Sequence, residues 1–524
     1  MITASIYFYW LRLLFCVCNS IFHDRKFVAP PVDPLILISA AQAVEKIKKR
    51  EIISTDLIEA YIHRIETIND DINAVVVKLF DTARRQAAEI DDFIATSTNK
   101  EIEQRIREQP LLGVPFTMKD ALEVEGETIT CGIFNRKDMK CDRTAEAVIR
   151  LKNAGAILLA ITNVPEVCMG VESVNTVYGR SKNPYDTRRM TGGSSGGEGA
   201  LIGAAGSVVG IGSDIGGSIR MPAFFNGIFG LMPTPGIIPF VGHVPSPTGY
   251  KTNMLRVGPM CRFADDLPVL LKIMAGSNAE KLNLDKSRKK LRVFYMEGIS
   301  GNPIIQPLAE DMRNALRKAV NLLERKYGVV AEEVDLTDAK HTIELFTLSM
   351  HENTIDPSFN KLMLCIEGSK GEVNCYTELV NYAIGRSQHT LPGIVTGIID
   401  SQDISFTSSE TKEMLLRRDR LKRAVEKLLG DDGILLFPSW PSAAMYHNQP
   451  NFAPFDFSYT ALWNVLAVPV VQCSIGLNSS GLPLGIQVIG NQYTDRNLIT
   501  VAKYLEEGFD GWISPGTLQD DYMF

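Results

Sequence analysis

The chain has 524 residues, 45% of them hydrophobic and 22% charged, enough to bury a substantial core and to carry a large soluble catalytic unit. Its 54 basic residues are outnumbered by 61 acidic ones, for a net charge of −7. With no basic stripe and only a short charge run at 286–290, which reads as a solvated loop, nucleic acid is not an expected partner.

At the N-terminus, Ile2–Phe22 is apolar and aromatic, with Tyr7, Phe8, Tyr9, Trp10, Leu13, Leu14 and Phe15. It is about long enough to span a bilayer, although Arg12 interrupts it. No positive stretch precedes it and the cleavage pattern after it is poor, which weakens a signal peptide. Residues 1–30 are therefore expected to be a membrane segment and linker. Spanning, hairpin insertion, and lying at the interface on Tyr9 and Trp10 stay open.

Helical spacing places amphipathic helices at 39–50 and 55–67, the second through Leu57, Ile58, Tyr61, Ile62 and Ile65. Short apolar runs at 112–118, 157–161, 207–211, 291–295, 434–437, 468–473 and 484–489 read as strands, mostly separated by helical stretches. This alternation predicts an α/β fold with a mixed central sheet covered by helices on both faces. Residues 232–250, with five prolines (Pro233, Pro235, Pro239, Pro245 and Pro247), read as an extended loop near the site. Residues 336–406 mix helix with apolar pieces. Length alone suggests about three domains, but no repeat or low-complexity linker divides the chain, so 31–524 is expected to be one catalytic domain. The nine cysteines are scattered, and Cys131, Cys168, Cys261 and Cys473 lie in apolar or glycine-flanked surroundings, which fits reducing conditions better than a disulfide framework.

The chemistry concentrates in GGSSGGEGALIGAAGSVVGIGSDIGGSIRMP, which sets Ser194 and Ser218 in separate glycine beds, and in LLGVPFTMKD upstream, which ends near Lys119. A serine hydroxyl is a poor nucleophile until a neighbouring base takes its proton, and a lysine made neutral by burial can be that base. Histidine is then unnecessary. Glycine backbone adopts positive φ and lets amides converge on a developing oxyanion. In SDIGGSIR the candidates are the N–H groups of Ile215, Gly216, Gly217 and Ser218, each such donor contributing roughly 3–4 kcal/mol. A single glycine pair would read as a tight turn; two beds and a lysine favour a serine hydrolase.

Ser195 sits in a literal G-x-S-x-G, Gly193 to Gly197, but the polar Thr187-Arg188-Arg189-Met190-Thr191 before it is no elbow strand. Its expected role is to support Lys119 by a hydrogen bond. Asp214 and Arg220 read as a structural brace. The seven histidines, His341, His351, His389 and His447 among them, form no HExxH or Cys/His ligand pair and no CxxC occurs, so no metal is expected. Gly210, Gly212 and Gly216 miss the GxGxxG spacing and GK[ST] is absent, so no nucleotide cofactor is expected either.

GVPFTMKD, GGSSGG and SDIGGSIR together resemble the amidase signature family, from about residue 35 to 516. GGSSGGEGALIG with DIGGSIRMPAFFNGIFG is most similar to its fatty-acid amide hydrolase group, in the second, membrane-associated type. The resemblance implies a relay in which neutral Lys119 deprotonates Ser194, and Ser194 deprotonates Ser218 as it attacks the acyl carbon. It implies a cis Gly193–Ser194 peptide bond and an acyl pocket that starts at Cys168 and Met169. It also implies that residues 336–406 shape the acyl channel and a membrane-facing cap, where the residues alone read as ordinary core helix. A lipid-like acyl amide as substrate, a homodimer, and an intracellular membrane such as the endoplasmic reticulum or lipid droplet follow in the same way. The same relay would serve an amidase or esterase for small polar or aryl amides. A membrane-tethered binding protein on a dead hydrolase fold is disfavoured by the joint presence of Lys119, Ser194 and Ser218.

Overall fold

The computed structural model describes residues 2–284, 290–365, 371–402 and 408–517. Of the charge run at 286–290, only Lys290 lies within them.

The strands in chain order are β1 Val75–Lys78, β2 Pro115–Lys119, β3 Ile157–Thr162, β4 Val174–Asn175, β5 Gly179–Arg180, β6 Val209–Asp214, β7 Phe229–Met232, β8 Arg256–Cys261, β9 Arg292–Tyr295, β10 Glu332–Glu333, β11 Gly433–Pro438, β12 Val470–Leu477 and β13 Pro483–Ile489. β4 and β5 form a separate hairpin; the rest build one eleven-stranded sheet in the order β1-β3-β2-β6-β8-β7-β12-β13-β11-β9-β10. β2 runs parallel to both its neighbours, β3 and β6, and every residue of all three is buried. Burial on both faces explains why these strands read as continuous apolar runs rather than alternating ones. From β6 through β8, β7, β12 and β13 to β11 the pairing is antiparallel, and β11-β9-β10 is parallel again, so the sheet is mixed as expected.

This topology positions the site. β2 ends at Lys119, and its parallel neighbour β6 ends at Asp214, from which the chain enters Ile215 to Ser218. Both segments leave at the carboxyl ends of adjacent parallel strands, where open α/β sheets bind their ligands. The expected loop follows β7 from Met232 and runs to the short helix Lys251–Met254.

The predicted helices form as Ala40–Lys48 and Ser54–Ile72. Ser39 closes the first with a capping box to Gln42. The second extends further than its apolar spacing suggests, and its first turn is capped from afar by Asp91, which accepts from the backbone N–H of Ser54 at 2.6 Å and of Thr55 at 2.8 Å.

Ile2–Phe22 is a single helix lying against the body. Phe8 and Leu11 are buried with Ala453, Phe15 meets Phe452 edge to face, and the Tyr7 hydroxyl donates to the Phe452 carbonyl at 3.1 Å. Arg12, the interruption in the apolar run, turns inward to the side-chain amide of Gln306, near Asp456 and Asp311. Burial lowers its pKa and raises that of Asp456 to about 7. Among the described residues no helix is long and apolar enough to cross a membrane.

Candidate active site

Lys119 is fully buried, and its Nζ lies 2.8 Å from Ser194 Oγ and 3.4 Å from the Ser213 carbonyl, to which it donates. Desolvation is the largest influence on the amine and lowers its pKa, against weaker opposing attraction from Cys168, Cys131, Asp214 and Asp120. The Gly193–Ser194 peptide bond is cis, in line with the resemblance. Ser195 begins the helix Gly196–Gly203, whose Glu198 is held by Thr117 and Thr162 hydroxyls from β2 and β3. A side chain on Gly210 of β6 would collide with that carboxyl group.

Ser195 departs from its expected role. Its hydroxyl donates to the Ser213 carbonyl and accepts from the Ser213 N–H, both at 3.4 Å, instead of reaching Lys119. It thus holds the backbone whose carbonyl receives the lysine.

Ser218 follows a turn built on Asp214. The Asp214 carboxylate accepts from the N–H of Gly217 at 2.7 Å and of Ile219 at 3.0 Å. Gly217 is obligatory there, because its φ is 127° and a Cβ would strike Thr460. The same bond removes Gly217 from the expected oxyanion set: its amide is already committed. The amides of Ile215, Gly216 and Ser218 have no acceptor among the described residues.

Asp214 also pairs with Arg220 at 3.0 Å, with both side chains fully buried. Arg220 in turn donates to the Thr460 carbonyl, Gln487 and Asn464. Burial alone would raise the Asp214 pKa, but Arg220 and the surrounding donors bring it down to about 2. The brace reading thus has its geometry. Arg220→Met is expected to destabilise the fold by about 3–5 kcal/mol, because it strands a buried charge. Since Asp214 titrates lower folded than unfolded, this stabilisation is present above pH ~4 and lost as pH falls towards 2. Chemical-denaturation midpoints for both proteins from pH 7 to pH 3 check the difference and its shrinkage.

Ser194 and Ser218 open into one cavity of about 310 Å³, which Cys168 and Met169 also line. Val167 and Cys168 there hold φ of 54° and 55°, backbone strain of the kind found at functional sites. Leu255, Met350, Phe359 and Leu362 make an apolar wall. Met350 comes from the helix Thr342–His351, Phe359 and Leu362 from Phe359–Leu364, and Thr396 and Asp400 from Leu391–Asp400, so the 336–406 region supplies much of the wall.

Several wall residues escaped sequence reasoning. His243 Nδ1 donates to the Pro245 carbonyl at 2.8 Å, which leaves Nε2 to accept from the Ser213 hydroxyl at 2.7 Å. Burial, then the neighbouring Lys119, lowers its pKa to about 4. Lys251 pairs with Asp356 at 3.0 Å and His351 with Asp400 at 3.1 Å. These residues lie in no recognisable motif; only the Pro-rich loop before Tyr250 hinted at His243. Among the described residues no cluster of three His, Cys, Asp or Glu is placed to hold a metal ion.

A buried lysine against one serine and a second, glycine-turn serine with free amides meet beside one cavity of a single α/β unit built on an 11-stranded mixed sheet. The Amidase family model matches residues 56–499, and the chain belongs to the amidase signature family, as a hydrolase acting on amides. It is similar to fatty-acid amide hydrolase 2-A of Danio rerio, 42% identical over 501 residues that cover 94% of this chain and 93% of the relative. Fatty-acid amide hydrolase 2 of Homo sapiens is 39% identical, covering 93% and 92%. Among solved structures, a fatty acid amide hydrolase superimposes with a TM-score of 0.72 at 21% identity, over 92% of this chain and 86% of that one, and supports the fold.

Proposed function

We infer that the chain hydrolyses amides of fatty acids, with Ser218 as nucleophile, Ser194 as proton relay and Lys119 as base. The observation that carries this reading is the buried, pKa-lowered Lys119 amine 2.8 Å from Ser194, which lines the cavity that also holds Ser218. Lys119 takes the Ser194 proton, and Ser194 takes that of Ser218 as Oγ bonds to the acyl carbon. The amides of Ile215, Gly216 and Ser218 receive the oxyanion. On collapse, the proton returns through Ser194 to the departing nitrogen, so the C–N bond breaks to a neutral amine and an acyl-Ser218 ester. Water, deprotonated along the same path, then releases the acid.

The lipid substrate rests on the named relatives and on the apolar wall that starts at Cys168 and Met169. Residues 1–30 serve in this reading as a membrane-associated segment, resting on a bilayer inside the cell through the outward side chains of Tyr9, Trp10, Ile21 and Phe22, and residues 31–524 as the catalytic domain. A second reading, hydrolysis of short or polar amides, is favoured by the Lys251–Asp356 and His351–Asp400 pairs in the same wall. Hydrolysis of primary acyl amides of about two to twenty carbons decides between them. A kcat/KM that climbs with chain length, by roughly threefold or more per buried methylene before it levels off, is the expected result. A preference for short or aryl amides would keep the relay and remove the lipid.

A further inference from the structure

A cavity of about 760 Å³ lies between the N-terminal helix and the body, and amide hydrolysis makes no use of it. Its helix side is apolar, with Leu14, Phe15 and Phe22, and Phe452 faces them from the body. Its other wall carries Lys26, Arg180, Lys182 and Arg188, against Asp24 as the one lining carboxylate among the described residues. Behind that wall two buried carboxylates are each shared: Glu172 contacts Arg180 at 3.1 Å and His447, and Asp186 contacts Arg188 at 2.9 Å, Arg189 at 3.1 Å and Arg25 at 4.0 Å. Cations therefore exceed carboxylates here, on a protein whose net charge is −7. Lys26 is exposed and Lys182 half-buried, both facing the cavity.

The apolar side opens outward. Leu14 and Phe22 line the groove and are also 59% and 74% exposed, beside the exposed Trp10 and Ile21. An amphipathic helix at a bilayer surface sits at the boundary between headgroups and acyl chains. In that position its outward residues enter the chains while the cationic wall stands at phosphate level.

The geometry points to a binding site for the headgroup of an anionic phospholipid: phosphate on Lys26 and Lys182 with Arg180 and Arg188 behind them, and acyl chains running past Leu14, Phe15 and Phe22. The inference rests on the reading that the N-terminal helix lies on a bilayer. Charge complementarity selects an anionic lipid over a zwitterionic one, because each basic residue near an anionic surface adds attraction that salt screens.

The test is co-sedimentation of the full-length protein with vesicles of phosphatidylcholine alone, or with about 30% phosphatidylserine, at low and high salt. Wild type is expected to bind the anionic vesicles about tenfold more tightly or better, with the preference shrinking at high salt. Lys26→Glu with Lys182→Glu is expected to lose the preference, while retaining binding to phosphatidylcholine and unchanged hydrolysis of a water-soluble short amide, which also reports that the variant is folded. Equal binding of wild type to both vesicles, or a preference that survives the double substitution, overturns this site and leaves the bilayer reading standing. Loss of the preference to inorganic phosphate at matched ionic strength overturns the lipid as occupant. Failure to bind either vesicle overturns the bilayer reading and this site together.

Discussion

Ser218→Ala is expected to remove amide hydrolysis, lowering kcat by at least about 10⁴-fold, as for other unit-acting nucleophiles, while leaving the fold intact. The substitution deletes one hydroxyl at a position only 8% exposed, and the turn around it is held by backbone donors to Asp214 rather than by that hydroxyl. The melting temperature should therefore stay near wild type. Turnover of a long-chain amide and a thermal melt on the same preparation check both halves. Surviving hydrolysis with an unchanged melt would contradict the nucleophile assignment.

The second large effect separates the relay from a simple base. Lys119→Ala is expected to slow amide hydrolysis by about 10²–10⁴-fold, and more than hydrolysis of an ester with the same acyl group, because an amine must receive its proton before it leaves whereas an alkoxide leaves more readily. Lys119→Met keeps most of the buried volume, so a matching loss in that variant excludes a packing artefact. The pH dependence carries the same signature. Burial lowers the lysine pKa, and the neutral amine is the active form, so kcat/KM rises with pH through that pKa and falls on its acid side. His243 is held at about 4, so it is not the source of an acid limb above that pH. That limb belongs to Lys119 and should vanish in Lys119→Met. Equal losses on matched amide and ester would count against proton delivery through Ser194.

Much of the fold was readable because buried strands are apolar on both faces. β2, β3, β6, β9 and β11 to β13 lie under the predicted runs, with ends shifted by a few residues. Of the strands missed, β1 is a short Val-Val-Val-Lys strand at the sheet edge, whereas three others lack that signature. β8 contains Gly258 and Pro259 and begins with the buried Arg256, β7 has Gly230 at its centre, and β10 is two exposed glutamates paired along β9. Long-range satisfaction was equally hidden: Asp91 caps a helix from another, and Arg12, which looked like a flaw in an apolar segment, reaches the body near Asp456.

The site divides in the same way. Lys119, Ser194 and Ser218 announced themselves through motif and glycine beds, and Cys168 and Met169 through the resemblance; the fold sets the serines, Cys168 and Met169 around one cavity, with Lys119 buried behind Ser194. Which amide stays free was not readable, because it depends on where the Asp214 carboxylate points; Gly217 is spent on that carboxylate. Nor could sequence reveal that Ser195 and His243 converge on Ser213, one through its backbone and one through its hydroxyl. Those contacts exist only once β6 and the Pro-rich loop after β7 have folded together.

The most direct test of the Ser218–Ser194–Lys119 account is peptide mass spectrometry of the wild-type protein after reaction with a fluorophosphonate. The account predicts a stoichiometric adduct on Ser218, formed much more slowly in Lys119→Met. An adduct on Ser194 or Ser195 instead, or none on an enzyme that still hydrolyses amides, would contradict it.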